Sequence, residues 1–113
     1  LPYGRLRLTV FRASGGLYTP IDSSPEYLLT YESLIEDPFI WPQPGLRVAI
    51  CPEVQLPITK WSGLKTINAL PYIFAGIWKK ENGLDDCILL NELGKIAEAG
   101  SSNIFYFKRY QIV

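Results

Sequence analysis

Between Arg5 and Phe11 the chain alternates. Leu6, Leu8 and Val10 fall on one side and Arg5, Arg7, Thr9 and Phe11 on the other, a period of two that predicts a half-buried strand. Gly15 and Gly16 break this pattern, and Tyr18 to Pro25 reads as a polar, proline-containing connection. Asp37 to Gly45 holds Pro38, Pro42 and Pro44, so an interdomain linker is expected somewhere between Gly15 and Gly45. Leu46 to Cys51 predicts a short strand. The period then lengthens: Leu70, Ile73, Phe74 and Ile77 recur at i, i+3, i+4 and i+7, which predicts a helix. Asn68 suits its N-cap, Pro71 its first turn and Gly83 its end. Cys87 to Leu90 reads as a buried strand, Asn91-Glu92-Leu93-Gly94 as a turn, and Lys95 to Ala97 as the returning arm of a hairpin. Asn103 to Phe107 starts another strand. Strand, helix and β-meander in this order predict an α+β fold, not a doubly wound sheet.

Composition narrows the functions open to this fold. The 113 residues amount to about one ordinary domain. Eleven basic residues balance eleven acidic ones, so there is no electrostatic footprint for nucleic acid or an anionic membrane. The absence of histidine excludes Ser-His and Cys-His nucleophiles. Cys51 and Cys87 lack metal-type spacing, so no metal site is predicted, and the two are expected to be buried thiols, with one disulfide as the lesser alternative. No apolar run approaches the roughly 18 residues of a membrane span, and the start does not look like a signal sequence. A soluble, cytoplasmic protein is expected.

Two segments carry the candidate chemistry. The first is Ser62-Gly63-Leu64-Lys65-Thr66-Ile67-Asn68, a lysine just ahead of the predicted helix; the second is Glu98-Ala99-Gly100-Ser101-Ser102-Asn103, an acidic residue opening a loop of small polar residues. Flanked by Leu64 and Ile67, Lys65 is expected in a partly apolar site, where desolvation would leave part of its amine neutral and nucleophilic. Gly100, Ser101 and Ser102 offer little bulk and two hydroxyl donors. Taken singly, a lysine, a glutamate and a serine-rich turn are ordinary surface features.

Their ordered combination closely resembles the class IV aminotransferases, pyridoxal-phosphate enzymes of fold type IV that include branched-chain and D-amino acid aminotransferases and aminodeoxychorismate lyase. The likeness also takes in Val10 to Pro20 and Ile88 to Lys108. It implies residues 1–20 as the end of a small domain, 21–45 as a connection and 46–113 as the first part of a large cofactor-binding domain. It implies Lys65 as the imine-forming lysine and acid–base group, and Glu98 as the carboxylate on the pyridine nitrogen. Ser101, Ser102 and Asn103 would lie around the cofactor. Asn68 follows the pattern of the lyase and D-amino acid enzymes, and Arg7 is a candidate for the substrate carboxylate, where arginine's paired donors suit. Arg12-Ala13-Ser14-Gly15-Gly16 resembles the lyase group, although Leu17 stands where that group often has another arginine. Substrates would be an amino acid and a 2-oxo acid, and the enzyme a homodimer. The chain lacks methionine, so by this resemblance it is expected to be an internal fragment, without the cofactor-phosphate elements and inactive alone. A non-catalytic homologue is the competing expectation.

Overall fold

A computed structural model describes residues 3–35, 40 and 43–113. The chain divides into two compact units, Leu1–Trp41 and Pro42–Val113.

Strands β1 (Tyr3–Arg12) and β2 (Pro25–Leu34) pair antiparallel in the first unit. The alternation in β1 therefore gives a strand as predicted, but Pro25–Leu34, read above as part of a connection, is strand as well. Leu6 faces Tyr31, Leu8 faces Leu29 and Val10 faces Tyr27 across the ladder, aromatic and aliphatic pairs of the kind that stabilise a hairpin. The Tyr31 ring lies over Gly4, where an added Cβ would come within 2.5 Å of it. These apolar side chains nevertheless remain exposed, Leu6 at 68% and Leu8 at 62%, instead of half-buried. A lone two-stranded sheet has no second layer to cover either face. The connection between the strands is drawn in by Arg12, which donates to the Gly15 and Leu17 carbonyls, and by Ala13 N–H, which donates to the Ser24 carbonyl.

The second unit is built on a three-stranded sheet of β3 (Val48–Leu56), β4 (Asp86–Asn91) and β5 (Ile96–Ala99), in that order. Strands β3 and β4 run parallel, joined across helix α1 (Leu70–Glu81), while β4 and β5 form an antiparallel hairpin. Strand β3 is longer than the sequence pattern suggests. Its pairing with β4 is interrupted between Ile50 and Gln55, a stretch containing Pro52, which has no N–H to give a ladder. A last small hairpin joins β6 (Phe107–Lys108) to β7 (Gln111–Ile112); Asn103 to Tyr106, expected to begin that strand, lie outside it.

Helix α1 begins one residue later than Asn68 would have it. Ala69 is the N-cap and no side chain bonds the first turn, because alanine has no side-chain acceptor, while Pro71 leaves one fewer N–H there to satisfy. The end is as predicted: Gly83 has φ of 63°, its N–H donates to the Lys80 carbonyl, and Leu84 N–H donates to the Lys79 carbonyl, the paired bonds of a Schellman turn. The inward face differs from the periodic stripe. Leu70, Ile73, Phe74 and Ile77 are exposed, and α1 meets the sheet through Tyr72, Ala75 and Trp78. The core is Cys51, Val54, Ala75, Cys87 and Leu89. Both cysteines are buried free thiols, and burial pushes the Cys87 thiol up from its ordinary value.

Truncating Leu89, which is fully buried, to alanine should cost about 2–5 kcal/mol. Ile73→Ser should change stability by less than about 0.5 kcal/mol. Urea unfolding midpoints of the two variants distinguish the face α1 buries from the one it exposes.

Candidate functional site

The crossover loop, the first turn of α1 and strand β5 enclose an open cleft of about 270 Å³ in the second unit. Its wall includes Trp61 and Leu64 from the loop, Thr66 and Asn68 ahead of the helix, Tyr72 on the helix and Glu98 on β5. A few hundred cubic ångström with an apolar wall and several converging polar groups is the usual form of a small-ligand site.

The Asn91–Gly94 turn, present as predicted, fixes where β5 begins. Asn91 Oδ1 accepts from the N–H groups of Leu93 and Lys95, at 3.1 Å and 3.0 Å, and Gly94 has φ of 69°, a conformation glycine takes at no steric cost. Within β5 the register shifts: Glu98 faces Leu89, but Ile96, not Ala97, faces Leu90. Ala97 is thus the extra residue of a β-bulge, a device that re-aims side chains. Glu98 shares the side of the sheet on which Leu89 packs beneath α1, and it is half-buried.

There its Oε1 accepts a 2.5 Å hydrogen bond from the Tyr72 hydroxyl. This bond to Glu98, with burial and the carboxylate's charge behind it, pushes the Tyr72 phenol up to about 12. Tyr72 therefore stays protonated and donating across the ordinary pH range.

Lys65 lies between the cleft-lining residues Leu64 and Thr66 but is not itself part of the wall. It is exposed and bonded to nothing among the described residues. Leu64 and Ile67 are also exposed, so the partly apolar surroundings expected for the lysine do not form. Asn68 lines the cleft instead of capping the helix.

Ser101 and Ser102 turn elsewhere. Both hydroxyls donate to Asp86 Oδ2, at 3.1 Å and 2.6 Å, while Cys87 N–H donates to Asp86 Oδ1 at 2.8 Å. Asp86 is 2% exposed. Burial raises its carboxyl, but the bonds from Ser102, Cys87 N–H and Ser101, with the charge of Lys79, outweigh that and hold it below the usual carboxylate range. Gly100 closes against this cluster: its N–H donates to the Cys87 carbonyl, and an added Cβ would lie 2.9 Å from Cys87 Sγ. Asn103 is exposed, with no side-chain bond among the described residues. Arg7 lies in the first unit, exposed on β1 opposite Thr30.

Tyr72 and Asp86 were not candidates on sequence grounds. Tyr72 sits off the apolar stripe of α1, and Asp85-Asp86 looks like a surface turn. Only the fold brings Asp86 to the serine pair after Glu98, 15 and 16 residues further along the chain, so no local pattern pointed to it.

The amino-transferase class IV family profile matches residues 1–113. The chain belongs to that family. No curated protein matches it significantly. Membership carries fold type IV and, in general, dependence on pyridoxal phosphate. The residues fit that group: a free lysine amine suits an aldehyde, and a half-buried carboxylate with one oxygen already bonded suits a ring nitrogen. Among the described residues no cluster of metal-ligating side chains occurs, and no helix is long and apolar enough to cross a membrane.

Asp86→Ala should destabilise the protein by about 1.5–3 kcal/mol at pH 7, the scale of hydrogen bonds to a charged group. The folded carboxyl lies below its unfolded value, so its contribution is present above about pH 4 and fades as pH falls through the folded value. The gap between wild type and variant should narrow with acid, as read from denaturation midpoints between pH 7 and pH 3.

Proposed function

We propose that the protein acts as a pyridoxal-phosphate aminotransferase, moving an amino group between an amino acid and a 2-oxo acid. The observation that carries this reading is the pairing, in a class IV chain, of Glu98 on the cleft wall with Lys65 on the loop that forms its rim. When bound, the cofactor supplies an aldehyde carbon for the amino group and a protonated ring that takes up the electron pair left by a breaking C–H bond.

Lys65 would hold the aldehyde end until the substrate amine displaces it. Its freed Nζ, unbonded among the described residues, would then take the proton from the substrate α-carbon and later return it, serving as base and then acid. Glu98 would keep the ring nitrogen protonated, since an adjacent anion favours the charged form. Ser101 and Ser102 serve the site through Asp86, which pins the loop that leaves β5, and Asn103 is a polar contact for the cofactor. Asn68, which lines the cleft, is the proposed polar contact for the substrate. Arg7 is the proposed partner of the substrate carboxylate, and its guanidinium is unpaired among the described residues. Homodimer formation belongs to the same reading, supported by the exposed apolar stripe of α1.

A second reading, aminodeoxychorismate lyase releasing 4-aminobenzoate and pyruvate, is favoured by Asn68 three residues after Lys65 and opposed by Leu17. A third, a non-catalytic homologue, is favoured by the exposure of Lys65 and the engagement of both serine hydroxyls by Asp86. Assays with amino-acid and 2-oxo-acid pairs, and with aminodeoxychorismate, separate the first two. The third predicts no imine absorption band on adding cofactor.

Borohydride reduction of the cofactor-loaded protein should fix the pyridoxyl group on Lys65, as read by peptide mapping. A label on Lys60, Lys79, Lys80 or Lys95 would remove the assignment. Glu98→Gln should lower turnover by about 10²–10³-fold, the usual loss when one charged stabilising partner is neutralised, while borohydride still labels Lys65.

A further inference from the structure

We infer that Tyr72 is a positioning residue for Glu98, holding one carboxylate oxygen so that the other is presented to the cofactor's ring nitrogen. The inference rests on the cofactor reading of the cleft. Three observations carry it. Tyr72 sits in the first turn of α1 and packs against the core, so its ring is held by the fold. Its hydroxyl donates to Glu98 Oε1, and both residues line the same cleft. Glu98 Oε2 accepts no bond among the described residues and is not sealed from solvent.

A carboxylate on a strand rotates freely about its terminal torsion unless something fixes it. A phenol that bonds only one oxygen fixes that rotation and leaves the second oxygen for an incoming donor. Because the phenol is pushed up to about 12, it remains a donor where the enzyme would work and cannot compete for the ring nitrogen's proton. The bulge at Ala97 supplies the coarse direction of Glu98, and Tyr72 supplies the fine one.

The test uses Tyr72→Phe, which keeps the ring and the packing, together with Glu98→Gln, Glu98→Ala and the Tyr72→Phe/Glu98→Ala double variant. In the cofactor-free protein, the tyrosinate absorbance that Tyr72→Phe removes gives the titration of Tyr72 alone. That signal should be absent through pH 11 in wild type, and should appear with a midpoint near the ordinary value of about 10 when Glu98 is replaced by glutamine. In the loaded protein, Tyr72→Phe should weaken pyridoxal-phosphate affinity roughly tenfold when Glu98 is present and less than about twofold in the Glu98→Ala background, as equilibrium dialysis would read.

A Tyr72 titration that ignores Glu98 overturns the proposal and leaves the cofactor reading standing. Equal losses of affinity in both backgrounds also overturn it, since Tyr72 would then act on packing alone. If Tyr72 titrates as expected but Glu98→Ala leaves cofactor affinity unchanged, it is the cofactor reading of Glu98 that fails, and the proposal falls with it.

Discussion

The seat of α1 on the sheet decides the rest of the second unit. At Ala75 the helix has no accessible surface, and the Cys87 thiol comes within 3.8 Å of the Ala75 carbonyl. Only a small side chain permits that approach, because interiors are close-packed and one extra methylene already strains them. The approach sets the height of the helix over β4, and one turn earlier it brings Tyr72 down onto Glu98. It also leaves Leu70, Ile73, Phe74 and Ile77 facing away. The helix thus buries Ala75 most completely, with the partly buried Tyr72 and Trp78 on either side, and displays the stripe whose period marks it in the sequence.

The same end of the sheet holds a charge in its interior. An ionised carboxylate is costly to bury unless its oxygens are fully bonded, and Asp86 meets that condition with two hydroxyls and one backbone N–H. The three donors come from the start of β4 and from the loop after β5, so satisfying the charge also fastens that loop. Gly100 makes the closure possible by omitting a side chain where the thiol and carboxylate already stand. Glycine is required there by crowding, whereas at Gly83 and Gly94 it is required by a positive φ.

What could be read from the sequence was local. The period of α1, its stop at Gly83 and the Asn91–Gly94 turn each depend on a few adjacent residues, and each is found. Strand β2 was not legible, because Tyr27-Leu28-Leu29-Thr30-Tyr31 does not alternate and only its pairing with β1 makes it a strand. The chemistry of Lys65 and Glu98 was legible as an ordered motif, but its surroundings were not. The roles of Tyr72 and Asp86 depend on partners 26 residues away in one case and 15 and 16 in the other. A one-residue bulge at Ala97 likewise leaves no mark on composition or period, although it decides which way Glu98 points.

The parallel pairing of β3 with β4 has a consequence for how the cleft comes into being. The β4–β5 hairpin, closed by a four-residue turn, can form on the order of microseconds. Strand β3 reaches β4 only after residues 57–85 have looped around through α1, and the entropy of that closure comes before any contact rewards it. Glu98 belongs to the early hairpin and Lys65 to the late crossover. On refolding of the full chain, the hairpin that carries Glu98 is therefore expected to close before the long-range pairing that brings the lysine loop over it, and the cleft needs both.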